Sequence, residues 1–246
     1  MDKMLFTATN GARQAMQAQT AISHNLSNAS TVGFKSHFNT FTSWHVEGPG
    51  FNTRIMNQQS ADEIDLESGP LATTGRELDV AVNGDGFIAV QNAKGEESFT
   101  RAGDLRLDST GRLTTGAGFA VLGNGGPIAI PPAEKIEIGQ DGSISIVPVG
   151  QTADSLVIAD RIKLVNPDVT NLQKDKDGLL QLRNGAVEPA AANVKLESGV
   201  IEHSNVNAVG QMIELIANAR QFETNIKLMQ EAKTTDEASA RLLRNS

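Results

Sequence analysis

Residues 5–35 read LFTATNGARQAMQAQTAISHNLSNASTVGFK. Within them Leu5, Ala8, Ala12, Ala15, Gln19, Ile22, Leu26 and Ala29 recur at alternating spacings of three and four, a heptad seam with one polar insertion at Gln19. The spacing predicts a helix from about residue 3 to about residue 28. It ends before Thr31-Val32-Gly33-Phe34, a turn in which Gly33 takes a positive φ without steric cost. Four seam residues are Ala, so a partner helix approaches closely but gains little area. Leu5, Ile22 and Leu26 add about 1.5–3 kcal/mol each when fully buried. Alone, such a helix is marginal in water.

The pattern returns at the other end of the chain. Met212, Leu215, Ala219, Phe222, Ile226, Met229, Lys233, Asp236, Ala240 and Leu243 again alternate by three and four, persisting across two polar positions. This predicts a helix from about Asn207 to about Leu243, roughly 55 Å long at 1.5 Å per residue. A 3,4 apolar period usually marks the buried face of a helix in an ordinary bundle. Here the length, the terminal placement and the small residues favour an assembly interface, carried by Leu5, Ala8, Ala12, Ala15, Ile22, Leu26, Met212, Leu215, Ala219, Phe222, Ile226 and Met229. The two seams pair with each other or with copies in neighbouring subunits, because closing the intervening chain costs entropy that grows only slowly with length. With little core of their own, both helices are expected to order on assembly.

The middle reads as short strands punctuated by turns. Residues 78–82 and 87–90 flank Asn83-Gly84-Asp85-Gly86 and predict a hairpin, since Asn-Gly readily supplies positive φ. Residues 136–138 and 143–146 flank a second turn, and 106–113 span a third. Further strands are expected at 161–165 and 179–182. No helical period interrupts them, so the fold class is α+β: terminal heptad helices forming a helical domain, and a central all-β, mostly antiparallel domain. The boundaries are 1–35 for the first helix, 36–75 for a connector without a clean period, 76–197 for the β domain and 198–246 for the second helix.

Composition narrows the function. The 246 residues include nine Phe, one Trp and no Tyr, so aromatic burial is scarce and a single compact enzyme domain is not the default. The absence of Cys removes disulfides, thiolate metal sites and cysteine nucleophiles. A net charge of −8 opposes a broad basic face for nucleic acid. The charge is uneven: +2 over residues 1–38, 0 over 206–246 and −10 between. No run approaches the roughly 18 apolar residues of a membrane span. The first thirty residues also lack the apolar stretch of a secretory signal, so any export is expected to proceed without a cleaved leader.

Little chemistry is visible. His24, His37, His45 and His203 form no metal-ligand spacing and read as structural or solvent-facing. The stretch 173–178 faintly resembles a calcium loop, but Gln173 opens it and Asn184 stands where a bidentate carboxylate belongs, so it reads as a turn. Residues 83–86 and 123–126 lack the Gly spacing and following helix of a phosphate loop and read as hairpin turns. Asp62-Glu63 and Glu96-Glu97 read as solvated loop carboxylates. No catalytic residue, cofactor or metal ligand is assigned. A glycan hydrolase with paired carboxylates in the β domain and a periplasmic coiled-coil adaptor stand as the alternatives.

One resemblance covers both ends and the centre, in order. Asn25-Leu26-Ser27-Asn28-Ala29-Ser30-Thr31-Val32-Gly33-Phe34-Lys35 is similar to the NNLANxxTxGFK signature of bacterial flagellar rod and hook proteins. Residues 82–87 resemble their GxGFF block, and Phe99-Thr100-Arg101-Ala102-Gly103-Asp104 their YTRAGxF block. Glu202-His203-Ser204-Asn205-Val206-Asn207, continuing through Arg220, Phe222 and Glu223, resembles their C-terminal segment. His24, Ser27, Val32 and Phe99 depart mildly from the pattern. The resemblance implies an exported subunit of the periplasmic rod, which assembles into a helical tube and transmits motor torque. Length, Met1-Asp2 and Gly11-Ala12 favour a proximal over a distal rod member. The implied partners are copies of the chain itself, other rod subunits and the export apparatus, with no nucleic acid, no membrane insertion and no cofactor. Asn25, Asn28, Asn205 and Asn207 are expected to fix register where the terminal segments meet, with Gly33 and Phe34 anchoring the exit from the first helix.

Overall fold

The computed structural model describes residues 2–45, 55–150, 156–175 and 177–244. The chain divides into two units, one drawn from residues 1–29, 36–65 and 206–246 and the other from 30–35 and 66–205. The architecture is α+β, with one helix at each end and antiparallel strands between.

In the first unit, α1 (Asp2–Ser27) and α2 (Ala208–Arg244) run antiparallel. Asn25 meets Gln211, the Asn218 amide reaches the Ala15 carbonyl, and Thr9 meets Met229. At about 1.5 Å per residue, the 37 residues of α2 overrun the 26 of α1. The last turn of α1 is tightened by its own side chains: Ser27 Oγ donates to Ser23 O at 2.8 Å and Asn28 Nδ2 to His24 O at 2.9 Å, the latter carbonyl also accepting the Asn28 N–H. Asn207 caps α2 by accepting from Gly210 N–H at 3.1 Å.

Residues 36–75, which showed no clean period, carry a long hairpin in this unit. β1 (His37–His45) pairs antiparallel with β2 (Ile55–Ile64), with a register shift at Thr40/Phe41. Its sequence, HFNTFTSWH against IMNQQSADEI, lacks apolar alternation because α1 meets it largely through amides.

The second unit opens with β3 (Leu71–Thr73), β4 (Val80–Asn83), β5 (Phe87–Gln91), β6 (Glu97–Thr100), β7 (Leu105–Leu107), β8 (Leu113–Thr115) and β9 (Ala120–Gly123). It continues with β10 (Gly126–Pro127), β11 (Ala133–Ile138), β12 (Ser143–Pro148), β13 (Val157–Arg161) and β14 (Leu164–Val165). Then follow β15 (Leu172–Lys174), β16 (Leu180–Leu182), β17 (Lys195–Ser198) and β18 (Val200–Glu202). The largest sheet has the order β15-β16-β6-β5-β9-β8-β7, with β10 on β9 and β14 on β5. Beside it stand a β11-β12-β13 sheet and the pairs β17-β4 and β18-β3.

The expected hairpins at 106–113 and 136–146 form as β7-β8 and β11-β12, and the turn at 123–126 joins β9 to β10. The expected hairpin across Asn83–Gly86 does not form. β4 and β5 both exist, but β4 pairs with β17 and β5 with β6, β9 and β14. Val80, Ala81 and Val82 are all buried, so β4 needs cover on both faces and leaves the plane of its successor. Gly86, at φ 133°, permits the departure, and a Cβ there would lie 2.7 Å from Val194. The strand expected at 161–165 is broken into β13 and β14. Residue 176 of the stretch read as a turn and the side chain of Leu243 lie outside the described residues. The core is aliphatic, built on Val80, Ile88, Val90, Leu105, Leu113, Val121, Ile128 and Ile144, which explains how this unit folds with few aromatics.

Candidate functional site

Two constellations gather the residues singled out in the sequence, one in each unit. In the first unit the helices meet along small side chains. Ala8, Ala12 and Ala15 are buried, Ile22 and Leu26 are half-buried, and Leu5 is 42% exposed. On α2, Leu215, Ala219, Phe222, Ile226 and Met229 are half-buried and Met212 is 51% exposed. Gln211, Asn218 and Asn225, each one residue before a position of the expected seam, join Met229 in reaching α1. Asn218 lies against Ala15 and Asn225 against Gly11, where only small residues leave room. A Cβ on Gly11 would come within 3.0 Å of the Asn225 amide.

A second face of α1, spaced Asn10, Gln14, Gln17, Ala21, His24, meets the hairpin. Asn10 and Gln14 both donate to Asn57 O, and Asn39 donates to Gln17 O. Asn25 pairs with the backbone of His37 as a strand would, its Nδ2 donating to the carbonyl at 2.8 Å and its Oδ1 accepting the N–H at 3.1 Å. The His24 and His37 rings stand edge-on with centroids 4.8 Å apart. Arg220 and Glu223 are exposed on α2.

In the second unit, the residues after α1 and before α2 close on a buried ion cluster. Thr31 O accepts from Phe34 N–H, and Gly33, at φ 65°, donates its N–H to Glu202 O at 2.7 Å. A Cβ on Gly33 would lie 2.2 Å from the backbone of Ala102, so this position fits glycine alone. The Lys35 ammonium reaches Glu202 Oε1 at 2.7 Å and Glu67 O at 2.6 Å. Arg101 approaches Glu202 Oε2 at 3.1 Å and donates to Gly84 O at 2.7 Å. Gly69 N–H adds a bond to Glu202 Oε1 at 2.9 Å. All three charged side chains are at most 4% exposed. Burial pushes the Glu202 carboxyl up. The Lys35 and Gly69 hydrogen bonds, with the charges of Lys35 and Arg101, outweigh it and hold the pKa below the ordinary value. Ser204 is buried, and Asn205 braces the cluster, donating N–H to Phe34 O and Nδ2 to Glu67 O. Val206 and Asn207 then lead into α2.

Of the paired carboxylates, Glu97 differs from its reading as a solvated group: it is 9% exposed and held by Lys163 at 2.8 Å. The side chain of Asp62 lies outside the described residues.

Three family profiles match the chain: flagella basal body rod protein at residues 5–35, flagellar hook protein FlgE/F/G D1 domain at 81–146, and flagellar basal body rod FlgEFG protein C-terminal at 197–242. Over 235 residues, 93% of each chain, it is 39% identical to the flagellar basal-body rod protein FlgF of Escherichia coli (strain K12). The chain belongs to the flagellar basal-body rod protein family. It is also 38% identical to FlgF of Salmonella typhimurium, with the same coverage. FlgG of Bacillus subtilis (strain 168) is 33% identical over 261 residues, 96% of each chain.

The ion cluster takes one residue from each matched segment of this rod protein: Lys35 from the first, Arg101 from the second and Glu202 from the third. Lys35, Arg101 and Glu202 all stand inside the quoted blocks, but no role attaches to Arg101 or Glu202 from the sequence alone. The available signal was a lone Lys35 in the first block and an acidic or basic residue in each of the others. Opposite signs in segments far apart in the chain mark candidates for a buried pair.

Proposed function

We propose that this chain is a structural subunit of the flagellar basal-body rod and joins it through its helical unit. The observation that carries this reading is the apolar surface those helices keep. Val209, Met212, Ile213 and Ile216 follow one another at helical spacing on α2 and are 51–68% exposed, while α1 exposes Leu5, Phe6 and Met16. Leu5 and Met16 are separated by eleven residues, about three turns, and share a face. A stripe of large apolar groups left exposed on a helix that packs on α1 along a different line calls for neighbours.

On this reading the stripe, together with the exposed seam residues Leu5 and Met212, meets other copies of the chain or other rod subunits, while Ala8, Ala12 and Ala15 close α1 onto α2. Contacts that do not close into a ring propagate as a helical tube able to carry torsional load across the periplasm. A proximal position accords with the FlgF relatives at 38–39% identity against 33% for the FlgG relative. Delivery by the flagellar export apparatus without a cleaved leader, a role without catalysis, and no insertion into the membrane belong to the same reading. Among the described residues no helix is long and apolar enough to cross a membrane.

The test is the pair Ile213→Asp and Ile216→Asp in the full chain. The β unit should keep its urea midpoint and its amide protection, while pelleting with neighbouring rod subunits and swimming in a complemented strain are lost. Normal co-assembly of the double variant would sink the proposal.

A further inference from the structure

Beside the ion cluster lies a recess of about 10 Å³, enough for one water-sized species. Its polar lining is Lys35, Thr100, Arg101 and Lys174, and its walls include the rings of Phe87 and Phe99. Three residues with cationic side chains thus line one small space, and no carboxylate is among the described residues that line it.

Lys35 is answered by Glu202 at 2.7 Å, and Arg101 shares that carboxylate at 3.1 Å. Arg101 keeps a further donor. It is 4% exposed, and its Nε–H has no hydrogen-bond partner among the described residues. A buried guanidinium donor without an acceptor is costly. Lys174 sits 3.6 Å from the centroid of the Phe34 ring and donates to Lys35 O at 3.0 Å, two partners that carry no formal charge. Thr100 Oγ1 accepts from Ala102 N–H at 3.0 Å, which leaves the hydroxyl proton available as a donor. The recess therefore offers donors of three kinds and an excess of positive charge.

We infer that it binds a single small inorganic anion, of which chloride is the abundant example, held by Arg101 Nε–H, the Thr100 hydroxyl and the Lys174 ammonium. The small volume favours a monatomic ion over phosphate. Burial lowers the Lys174 pKa to about 8, the state of a cation that meets no negative charge. An anion at the recess restores its preference for the charged form. Occupancy would brace the place where the three matched segments meet.

Two measurements on the full chain test this. In the first, urea midpoints are recorded at constant ionic strength while sodium chloride replaces sodium gluconate. A bound chloride raises the folding equilibrium constant tenfold for each tenfold rise in chloride above its dissociation constant. In Lys174→Met, which removes a donor to the Lys35 carbonyl but none of the side-chain bonds among Lys35, Glu202 and Arg101, that dependence should weaken or vanish. In the second, crystals of the full chain are soaked in bromide, with an anomalous peak expected within hydrogen-bonding reach of Arg101 Nε. A recess holding water alone, with chloride and gluconate equivalent at equal ionic strength, overturns the inference.

Discussion

Glu202→Gln retains the volume of the side chain and removes its charge. In the native protein, one carboxylate with no exposed surface neutralises two cations that are themselves at most 4% exposed. The amide offers a single oxygen. If that oxygen faces Lys35 and Gly69 N–H, the new NH2 points at the Arg101 guanidinium; if it is reversed, Lys35 meets a donor. Either way a buried cation loses its partner, and removing one member of a buried pair costs about 3–5 kcal/mol. For a slope near 2 kcal/mol per molar urea, the midpoint falls by about 1.5–2.5 M. The assay is a urea titration at pH 7, read by far-UV circular dichroism and by hydrogen exchange in peptides covering β5 and β9. The pH dependence gives a second readout. Because the folded pKa of Glu202 is held down, its stabilisation is present above the ordinary value of 4.5 and is lost as pH falls through the folded value. The variant should therefore lack that part of the acid limb. Substituting Lys35→Met, Arg101→Met and Glu202→Leu together should recover stability relative to Glu202→Gln, since a packed apolar replacement avoids an unpaired charge. A loss below about 1 kcal/mol, the range of solvent-exposed pairs, would refute the assignment of this cluster as a buried junction.

Gly33→Ala should cost about 3 kcal/mol, because a residue at φ 65° gains a Cβ 2.2 Å from a backbone atom; the urea midpoint of the β unit measures it. Asn207→Ala removes the cap on Gly210 N–H and should destabilise the start of α2 by about 1 kcal/mol, read as faster exchange at Gly210 and Gln211. Lys174 carries a depressed pKa, so between pH 8 and 10.5 the unfolded chain holds a proton that the folded chain has released. Stability from this group rises with pH across that window. Urea midpoints of the parent chain and Lys174→Met should accordingly converge as pH increases.

Where a local signal specifies the structure completely, the sequence is enough. The 3,4 periods at the two ends place α1 and α2 closely, and the alternation Ile136, Ile138, Ile144, Ile146 around a Gly139–Gly142 turn produces β11-β12. Asn83-Gly84 is different, since it reports that the chain turns but not which strand each arm will join; the burial of Val80–Val82 on both faces decides that. β1 and β2 escaped notice because their partners on α1 are amides, and an amide-facing strand has no apolar period to detect. The charges of Lys35, Arg101 and Glu202 are visible in the sequence, but their burial is a property of three segments meeting, which no local window contains.

The faces of α1 give the assembly proposal its physical content. Toward α2 it presents Ala8, Gly11, Ala12 and Ala15; toward the hairpin it presents amides whose hydrogen bonds go to strand carbonyls. Of its large apolar groups, Ile22 and Leu26 are half-buried, but Leu5, Phe6 and Met16 are 42–65% exposed. A helix whose burial was completed within its own chain would reverse this order, placing large groups inside and amides in water. The inversion separates two classes of substitution. Ala12→Asp buries a charge between α1 and α2 and should unfold the helical unit even in the isolated chain, seen as loss of helical circular dichroism. Met16→Asp changes a side chain that is 57% exposed, so it should leave that signal intact and fail only when neighbouring rod subunits are supplied. If the two variants behave alike in the isolated chain, the outer face of α1 belongs to the fold of this subunit and not to its contacts with others.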